Sequence, residues 1–383
     1  MKPAARVQAA IEILDEILEG APAERALTAW ARRSRFAGSK DRAAIRDHVY
    51  DVLRRRNSCA QVGGSLTGRG LMVGLLALQD HDLGTVFAGD GYGPAVLSEA
   101  EMPRLDAVSG YDLPDWALPE LRAGLGADFD AVEALLKERA PVVLRCNLGK
   151  TDRAQAIVAL AESNIQAEPH PASDTALTVT SGARQIAQSE AYKSGLVELQ
   201  DSSSQAAIQG LPLRDGMRVL DYCAGGGGKL LAMAARIKGT FVAHDAIPRR
   251  MQDLPVRAKR AGIRATCVST ETLDQHGPFD LVFADVPCSG SGSWRRDPDG
   301  KWRMTQPDFQ ELLALQASIL RDAAQLVGDG GTLVYATCSM CRSENKEQVQ
   351  GFLSAHPDWH LVQETQWTPL DDCDGFFAAV LQK

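Results

Sequence analysis

From residue 202 onward the chain alternates apolar β runs with helical segments, and the first run, Val219-Leu220-Asp221-Tyr222, breaks directly into Cys223-Ala224-Gly225-Gly226-Gly227-Gly228-Lys229. Few patterns limit a fold so tightly. A strand that ends in a glycine turn and continues as a helix opens a βαβ unit, and strands alternating with helices pair in parallel through such crossovers. The spacing predicts helices over Ser202 to Leu211, Lys229 to Ile237, Arg249 to Ala261 and Phe309 to Val327. It predicts strands over Val219 to Tyr222, Thr240 to Asp245, Ala265 to Val268, Phe279 to Ala284 and Leu333 to Thr337. The expected fold class is α/β, a doubly wound, mainly parallel Rossmann-like sheet.

The front of the chain has another period. Val7, Ile11, Leu14, Ile17 and Leu18, and later Ile45, Val49, Val52 and Leu53, recur at helical spacing, with few strand-like runs and no glycine-rich loop. Ser39-Lys40-Asp41 marks a helix start, and Pro94, Pro103, Pro114 and Pro119 punctuate the far end. An all-helical domain is therefore expected over residues 1–138. From Pro141 the pattern changes: Val142 to Asn147 reads as a strand, Asp152 to Asn164 as a helix, and Ala176 to Thr180 and Gly195 to Gln200 as strands. That is a small α+β module over 139–200, leaving 201–383 for the Rossmann-like domain.

No apolar run approaches the ~18 residues of a membrane span, and the start Met1-Lys2-Pro3-Ala4-Ala5-Arg6 leads into an amphipathic segment. A cytoplasmic monomer with no membrane partner is expected. The 8 cysteines in 383 residues are too sparse for a disulfide scaffold and should be thiols. The one CxxC, Cys338-Ser339-Met340-Cys341, lacks the second pair that zinc would need, so no metal is expected. The net charge of −8 argues against a nucleic-acid partner until its distribution is read. Residues 1–60 hold 12 Lys+Arg against 8 Asp+Glu, a net +4 that leaves −12 for the remainder. Arg32, Arg33, Arg35, Lys40, Arg42 and Arg46 fall there, and solvated helix faces would account for them equally well. A second group, Arg295, Arg296, Lys301 and Arg303 with Trp294 and Trp302 interleaved, is the candidate RNA-binding set, because cations and aromatics together suit a phosphate backbone and an unstacked base.

In an open α/β sheet the ligand sits outside the carboxyl ends of the strands, where a glycine turn lets the backbone approach it. Cys223, Ala224, Gly225, Gly226, Gly227, Gly228 and Lys229 have that position, and Asp245, about twenty residues on at the end of the next strand, is placed to hold a ribose. This pair of features points to a nucleoside cofactor and leaves a dinucleotide and S-adenosylmethionine both open. Two thiols choose between them. Cys288, in Asp285-Val286-Pro287-Cys288-Ser289-Gly290, and Cys338, in Thr337-Cys338-Ser339, each follow an apolar run in a polar strand-end loop where a thiol gains little by packing. Carbon 5 of cytosine accepts a methyl group only after a nucleophile has added to carbon 6, and a thiolate suits that addition. Cys146, Cys223 and Cys267, in or at the ends of strands, read as inert nucleophiles.

These residues carry a resemblance. Asp285-Val286-Pro287-Cys288-Ser289-Gly290 and Tyr335-Ala336-Thr337-Cys338-Ser339 with Glu344-Asn345 resemble the two cysteine signatures of the Sun/Nop family of RNA cytosine-5 methyltransferases, most like the bacterial RsmB-type ribosomal RNA enzymes. Leu199-Gln200-Asp201-Ser202-Ser203-Ser204-Gln205, Arg295-Arg296-Asp297-Pro298-Asp299 and Asp374-Gly375-Phe376-Phe377 resemble further motifs of that family, and Leu144-Arg145-Cys146-Asn147 its preceding module. Ser39-Lys40-Asp41-Arg42 through Val52-Leu53-Arg54 looks like a NusB-like RNA-binding domain. The resemblance implies that Cys338 is the nucleophile, Cys288 assists product release, and Asp285 contacts both cytosine and cofactor region. It implies S-adenosylmethionine held by Cys223 to Lys229 and Asp245, with Glu271 the gapless candidate for an acid after the third strand. RNA is the implied partner, ribosomal before transfer RNA.

Three departures stand out: Gly225-Gly226 where the family has Ala-Pro, with Leu230 for Thr; Glu271 in place of an Asp; and Met340-Cys341-Arg342 without the usual proline. A DNA cytosine-5 enzyme also has a Pro-Cys motif, whose thiol is there the nucleophile, but the Glu-Asn-Val motif and large recognition domain that should follow it are not visible. The intact cofactor loop argues against a non-catalytic RNA-binding factor, and the helical front against a small-molecule methyltransferase.

Overall fold

The computed structural model describes all residues, Met1–Lys383, which cluster into two compact units. One is Met1–Leu118 with Glu133–Arg139 and Trp294–Arg303; the other is Pro119–Val132, Ala140–Ser293 and Met304–Lys383. No helix is long and apolar enough to cross a membrane.

The first unit is helical. Its helices Pro3–Leu18, Ala23–Arg33, Ser39–Arg54, Arg56–Gly63 and Gly68–Leu78 bury the stripe that the periodicity marked, with Ile13, Leu14, Ile45, Val49, Val52 and Leu71 all fully enclosed. The helix start at residues 39–41 is built by Asp41. Its carboxylate accepts the Gly38 amide at 3.1 Å, the chain's amino terminus at 3.1 Å and Arg6 Nε at 2.8 Å, so one acid caps one helix and ties down another.

The segment Trp294–Arg303, which follows the Cys288 motif in sequence, packs inside this helical unit. Trp302 Nε1 donates to the Leu53 carbonyl at 2.7 Å, Arg54 donates twice to the Arg295 carbonyl at 3.1 and 2.8 Å, and the Ala23 amide donates to Asp299 at 3.0 Å. Lys301, only 1% exposed, directs its ammonium to the carbonyls of Asp112 at 2.6 Å and Arg54 at 3.1 Å. Two of the four cations expected to meet RNA are therefore corrected: Arg295 and Lys301 are buried, and they serve packing within the unit. Arg296 and Arg303 remain exposed.

The second unit holds two sheets. The smaller has strands β1 (Val142–Cys146), β2 (Gln166–Pro169), β3 (Ala176–Ser181) and β4 (Val197–Leu199) in antiparallel order β2-β3-β1-β4. The larger has β5 (Arg218–Asp221), β6 (Thr240–His244), β7 (Thr266–Val268), β8 (Phe279–Asp285), β9 (Val327–Thr337), β10 (His360–Trp367) and β11 (Phe376–Gln382) in order β10-β11-β9-β8-β5-β6-β7. Strands β5 to β9 pair in parallel, and β10 and β11 add antiparallel at one edge. Val282, Phe283, Leu333 and Val334 are fully buried, as expected of a sheet covered on both faces. The strand order reverses between β5 and β8, which makes their carboxyl ends the switch point where ligands of such sheets bind.

Two expected elements shift and two strands are additional. The helix of residues 306–325 gives way to β9 at Val327, earlier than Leu333; the helix expected over Arg249 to Ala261 divides into a 3-10 turn at Pro248–Met251 and a helix at Leu254–Ala261, with Pro255 in its first turn; and β2 and β10 join the sheets beyond the expected strands.

Burial pushes the Lys301 ammonium down to about 7 against the pull of Asp112 and Glu133. The unfolded chain, whose lysines titrate near 10.4, then binds more protons than the folded one between those two values. The Lys301 contribution makes stability rise with pH across that window, by up to about 1.4 kcal/mol per pH unit. Replacing Lys301→Met should remove this slope, so the variant gains on the parent at pH 7 relative to pH 10 in urea unfolding. Equal pH dependence in the two proteins would show that the amine is not held neutral.

Candidate active site

Strand β5 ends at Asp221, and the loop behind it is ordered by backbone contacts to its neighbours: Tyr222 N–H to the Phe283 carbonyl of β8, and Ala224 N–H to the His244 carbonyl of β6, both at 2.8 Å. Gly225 (φ 48°) and Gly227 (φ 76°) adopt the left-handed conformation, which a side chain would resist. The helix Gly228–Ala234 starts from this turn. Asp245, just past β6 and 3% exposed, accepts the Gly225 amide at 3.0 Å on one oxygen and the Ile247 amide at 2.9 Å on the other, with Arg250 Nη1 at 3.4 Å. The glycine loop and the acid predicted to act with it are thus in contact. Glu271 is exposed just beyond the end of β7, the strand beside β6; a hydrogen bond from Ser269 holds its carboxyl below the ordinary range.

Lys229, one residue into that helix, donates to Asp285 Oδ2 at 2.5 Å. Burial would lower its ammonium, but Asp285 outweighs it and holds the proton on more firmly than usual. This ion pair joins the glycine loop to the end of β8. Asp221, 1% exposed, accepts the Leu230 amide at 3.2 Å. Burial, and then the nearby Asp285, push its carboxyl up to about 7.

Three residues past β8, Cys288 brings its sulfur to 3.2 Å from the sulfur of Cys338, one residue past β9. Both thiols are partly exposed. The hydrogen bond with Cys338, and then burial, raise the Cys288 thiol well above its ordinary range. Cys223 and Cys341 are also raised by burial. Cys341 is fully buried among Ser289 and Ser291 hydroxyls at 3.9 and 3.7 Å.

The group that locks the two cysteine loops together is Glu344, fully buried. It accepts the Ser289 amide at 2.7 Å and hydroxyl at 2.5 Å from the Cys288 loop, the Ser339 hydroxyl from the Cys338 loop, and Gln316 Nε2 at 2.9 Å. The same Gln316 amide donates to the Pro287 carbonyl at 2.9 Å. Asn345 accepts from Thr337 Oγ1 at 2.6 Å and donates to the Ser339 carbonyl at 2.9 Å. Glu344 and Asn345 stood in the sequence only as part of a resembling motif. Asp221 and Gln316 carry no assignment from the sequence; an acid closing the strand before a glycine loop is the available signal for the first, and the second acts through contacts distant in sequence.

The profile of 16S rRNA methyltransferase RsmB/F matches residues 208–382, and that of the ferredoxin-like domain of RsmF/B-like methyltransferases matches residues 113–185. The ribosomal RNA small subunit methyltransferase B of Yersinia pestis bv. Antiqua (strain Angola) is 31% identical over 290 residues, 72% of this chain and 67% of that protein. The chain belongs to the RsmB/F family. The probable ribosomal RNA small subunit methyltransferase B of Bacillus subtilis (strain 168) is 34% identical over 259 residues, 64% of this chain and 57% of that relative, so the match spans less than two thirds of the Bacillus protein. Among solved structures, the protein PH0851 aligns over 100% of this chain and 99% of its own at 22% identity with a TM-score of 0.77, a likeness of fold. The fold of this RsmB/F family member includes the Rossmann-like one of methyltransferases, together with a small antiparallel module and a helical unit.

The Glu344 carboxylate should be needed for the geometry of both thiol loops. In Glu344→Gln an amide replaces one acceptor oxygen and two hydroxyl donors lose their partner, a cost of about 1–3 kcal/mol. Thermal or urea denaturation measures it. A variant as stable as the parent would show that the loops are held by other contacts.

Proposed function

We propose that this RsmB/F family member transfers a methyl group from S-adenosylmethionine to carbon 5 of a cytosine in RNA, with small-subunit ribosomal RNA as the substrate. The observation that carries this reading is the pair of sulfurs 3.2 Å apart at the carboxyl ends of the adjacent parallel strands β8 and β9, on the side of the sheet where the glycine loop and Asp245 lie. A single thiol would serve an attack; two at one point serve an attack and a release.

The cofactor supplies an electrophilic methyl carbon on a sulfonium. Asp245 orients the ribose, and the backbone of Cys223 to Lys229 lines the site. Cys338 adds as thiolate to carbon 6 of the cytosine, which places electron density on carbon 5. Carbon 5 takes the methyl group as the methyl–sulfonium bond breaks and leaves a neutral thioether; Cys288, as thiolate, takes the proton from carbon 5, and the Cys338–carbon 6 bond breaks to restore the ring and the Cys338 thiolate. Cys288 reaches that last stage as a thiolate once Cys338 is bonded to carbon and no longer carries a charge 3.2 Å away, its own proton having passed to solvent. Asp285, fixed by Lys229, stands between the loop and the thiols and contacts the base. Three regions divide the labour: a NusB-like RNA-binding domain over residues 1–138, less Pro119–Val132, which cluster with the second unit; an α+β module over 139–200; and a catalytic domain over 201–383, less Trp294–Arg303, which cluster with the helical unit.

Separate substitution of the thiols distinguishes their steps. Cys338→Ala should abolish transfer and form no covalent adduct, whereas Cys288→Ala should attack and methylate but accumulate protein linked to RNA. Denaturing gels of each variant incubated with small-subunit RNA and S-adenosylmethionine read both outcomes. Adduct with Cys338→Ala and none with Cys288→Ala would reverse the roles.

With Arg295 and Lys301 buried, the basic surface available to RNA lies in the helical unit, where Arg32, Arg35 and Lys40 are exposed. Changing these three to Gln should weaken RNA binding and flatten the dependence of log K on log salt by roughly 0.7 per lost phosphate contact. Filter binding across a salt series tests it, and an unchanged slope would move the RNA contact elsewhere.

A further inference from the structure

The glycine loop departs from the pattern it resembles at Gly225-Gly226, where Ala-Pro is usual, and two glycines leave that backbone with more freedom to lose than a proline would. A second source of order lies outside the loop. Arg257, on the helix Leu254–Ala261, donates from Nη1 to the Gly226 carbonyl. A Cβ built on Gly226 would stand 2.6 Å from that Nη1, so the guanidinium fills space that a proline ring would need. Arg257 is held from its other side, with Nε 3.5 Å from Glu198 of β4, and Glu198 also takes Arg260 Nη2 at 2.5 Å. Two residues along the loop, Arg145 repeats the device. Its Nη1 donates to the Gly228 carbonyl at 2.7 Å and to Gln200 at 2.5 Å.

We propose that Arg257 is a positioning residue for the cofactor loop, which replaces the stiffness of the missing proline by tethering the Gly226 carbonyl from outside the turn; that the loop takes S-adenosylmethionine rests on the function proposed above. The chemistry suits an arginine. A planar guanidinium presents several donors in fixed directions, so one side chain spans the loop carbonyl and the Glu198 carboxylate at once, which a lysine ammonium on a flexible stem would do poorly. The hydrogen bond is charge-assisted and the side chain is only 23% exposed, so water competes weakly for the carbonyl. Fixing Gly226 orients the amides on either side of it, including that of Gly225, which Asp245 accepts. A loop ordered before its ligand arrives binds more tightly than one ordered by it, because the entropy is already lost.

Hydrogen exchange on the ligand-free full chain reads the loop itself. Arg257→Ala should speed exchange across residues 224–229 about tenfold, as expected when one charge-assisted bond is lost; Arg257→Gln, a milder change, should fall between. Adding Gly226→Pro to Arg257→Ala gives the ring the space the guanidinium leaves and should bring exchange back to within about threefold of the parent. Calorimetry with S-adenosylmethionine should follow the same order, with KM for it rising several-fold in Arg257→Ala and kcat at saturation falling less. A merely structural role for Arg257 would lower thermal stability without rescue by proline. Unchanged exchange in both Arg257 variants, or equal loosening in the double variant, overturns the proposal. Exchange in the expected order from a chain that binds no S-adenosylmethionine supports the tether and takes down the cofactor assignment instead.

Discussion

Parallel strands bring their carboxyl ends to one edge of the sheet, but they do not bring the loops beyond them to hydrogen-bonding distance; that requires an interaction between the loops, and here it is Glu344. Its two oxygens take donors from Ser289 on one side and Ser339 on the other, each one residue from a cysteine. A buried carboxylate without a cation is costly unless its lone pairs are filled, and four donors fill these. The cost sets the specificity. Any separation of the loops strands the charge in a dry interior, so the sulfurs stay paired whether or not a base lies between the loop and the sheet. Tyr335 extends the clamp by donating to the Glu344 carbonyl at 2.6 Å, which anchors the chain on the far side of the carboxylate to β9 itself.

How much of this could be read from the sequence depended on the distance over which each signal acts. The strands with unbroken apolar runs, β5, β6 and β8, and the turn of glycines after β5 follow from local pattern, because burial on both faces and positive φ are demands that neighbouring residues announce. β10 was missed because an exposed edge strand has no buried face to enforce alternation; His360, Leu361 and Val362 all face solvent. The early start of β9 was hidden by Gly328-Asp329-Gly330-Gly331, a composition that reads as a turn. Cations were the hardest to assign. Nothing near Lys301 in the chain reveals that Asp112 and Arg54 supply the carbonyls that bury it, and Arg296, next to a buried arginine, stays exposed. Charge in a sequence states what a side chain carries, not whether it faces water.

The two thiols are better treated as one titrating unit than as two residues. With sulfurs 3.2 Å apart, ionising either disfavours ionising the other. The charge of Glu344 adds to the rise of the Cys288 thiol, although the acid touches neither sulfur. The residue that holds the two loops together thus also bears on the ionisation of one of the thiols.

The same reasoning about charge bears on what the glycine loop can hold. Asp221, Asp245 and Asp285 close three strand ends around it, while Lys229 is engaged by Asp285 and the half-exposed Arg250 lies 3.4 Å from Asp245. Asp221 feels the excess directly, since Asp285 helps to raise its carboxyl. A helix N-terminus after a glycine turn would by itself favour a phosphate, and a dinucleotide would bring two. The surrounding carboxylates are balanced by Arg257 and Arg145, whose guanidiniums lie on the Gly226 and Gly228 carbonyls, so charge alone does not choose between a dinucleotide and a sulfonium. A glycine run compatible with two cofactor classes is narrowed to S-adenosylmethionine by the family to which the chain belongs.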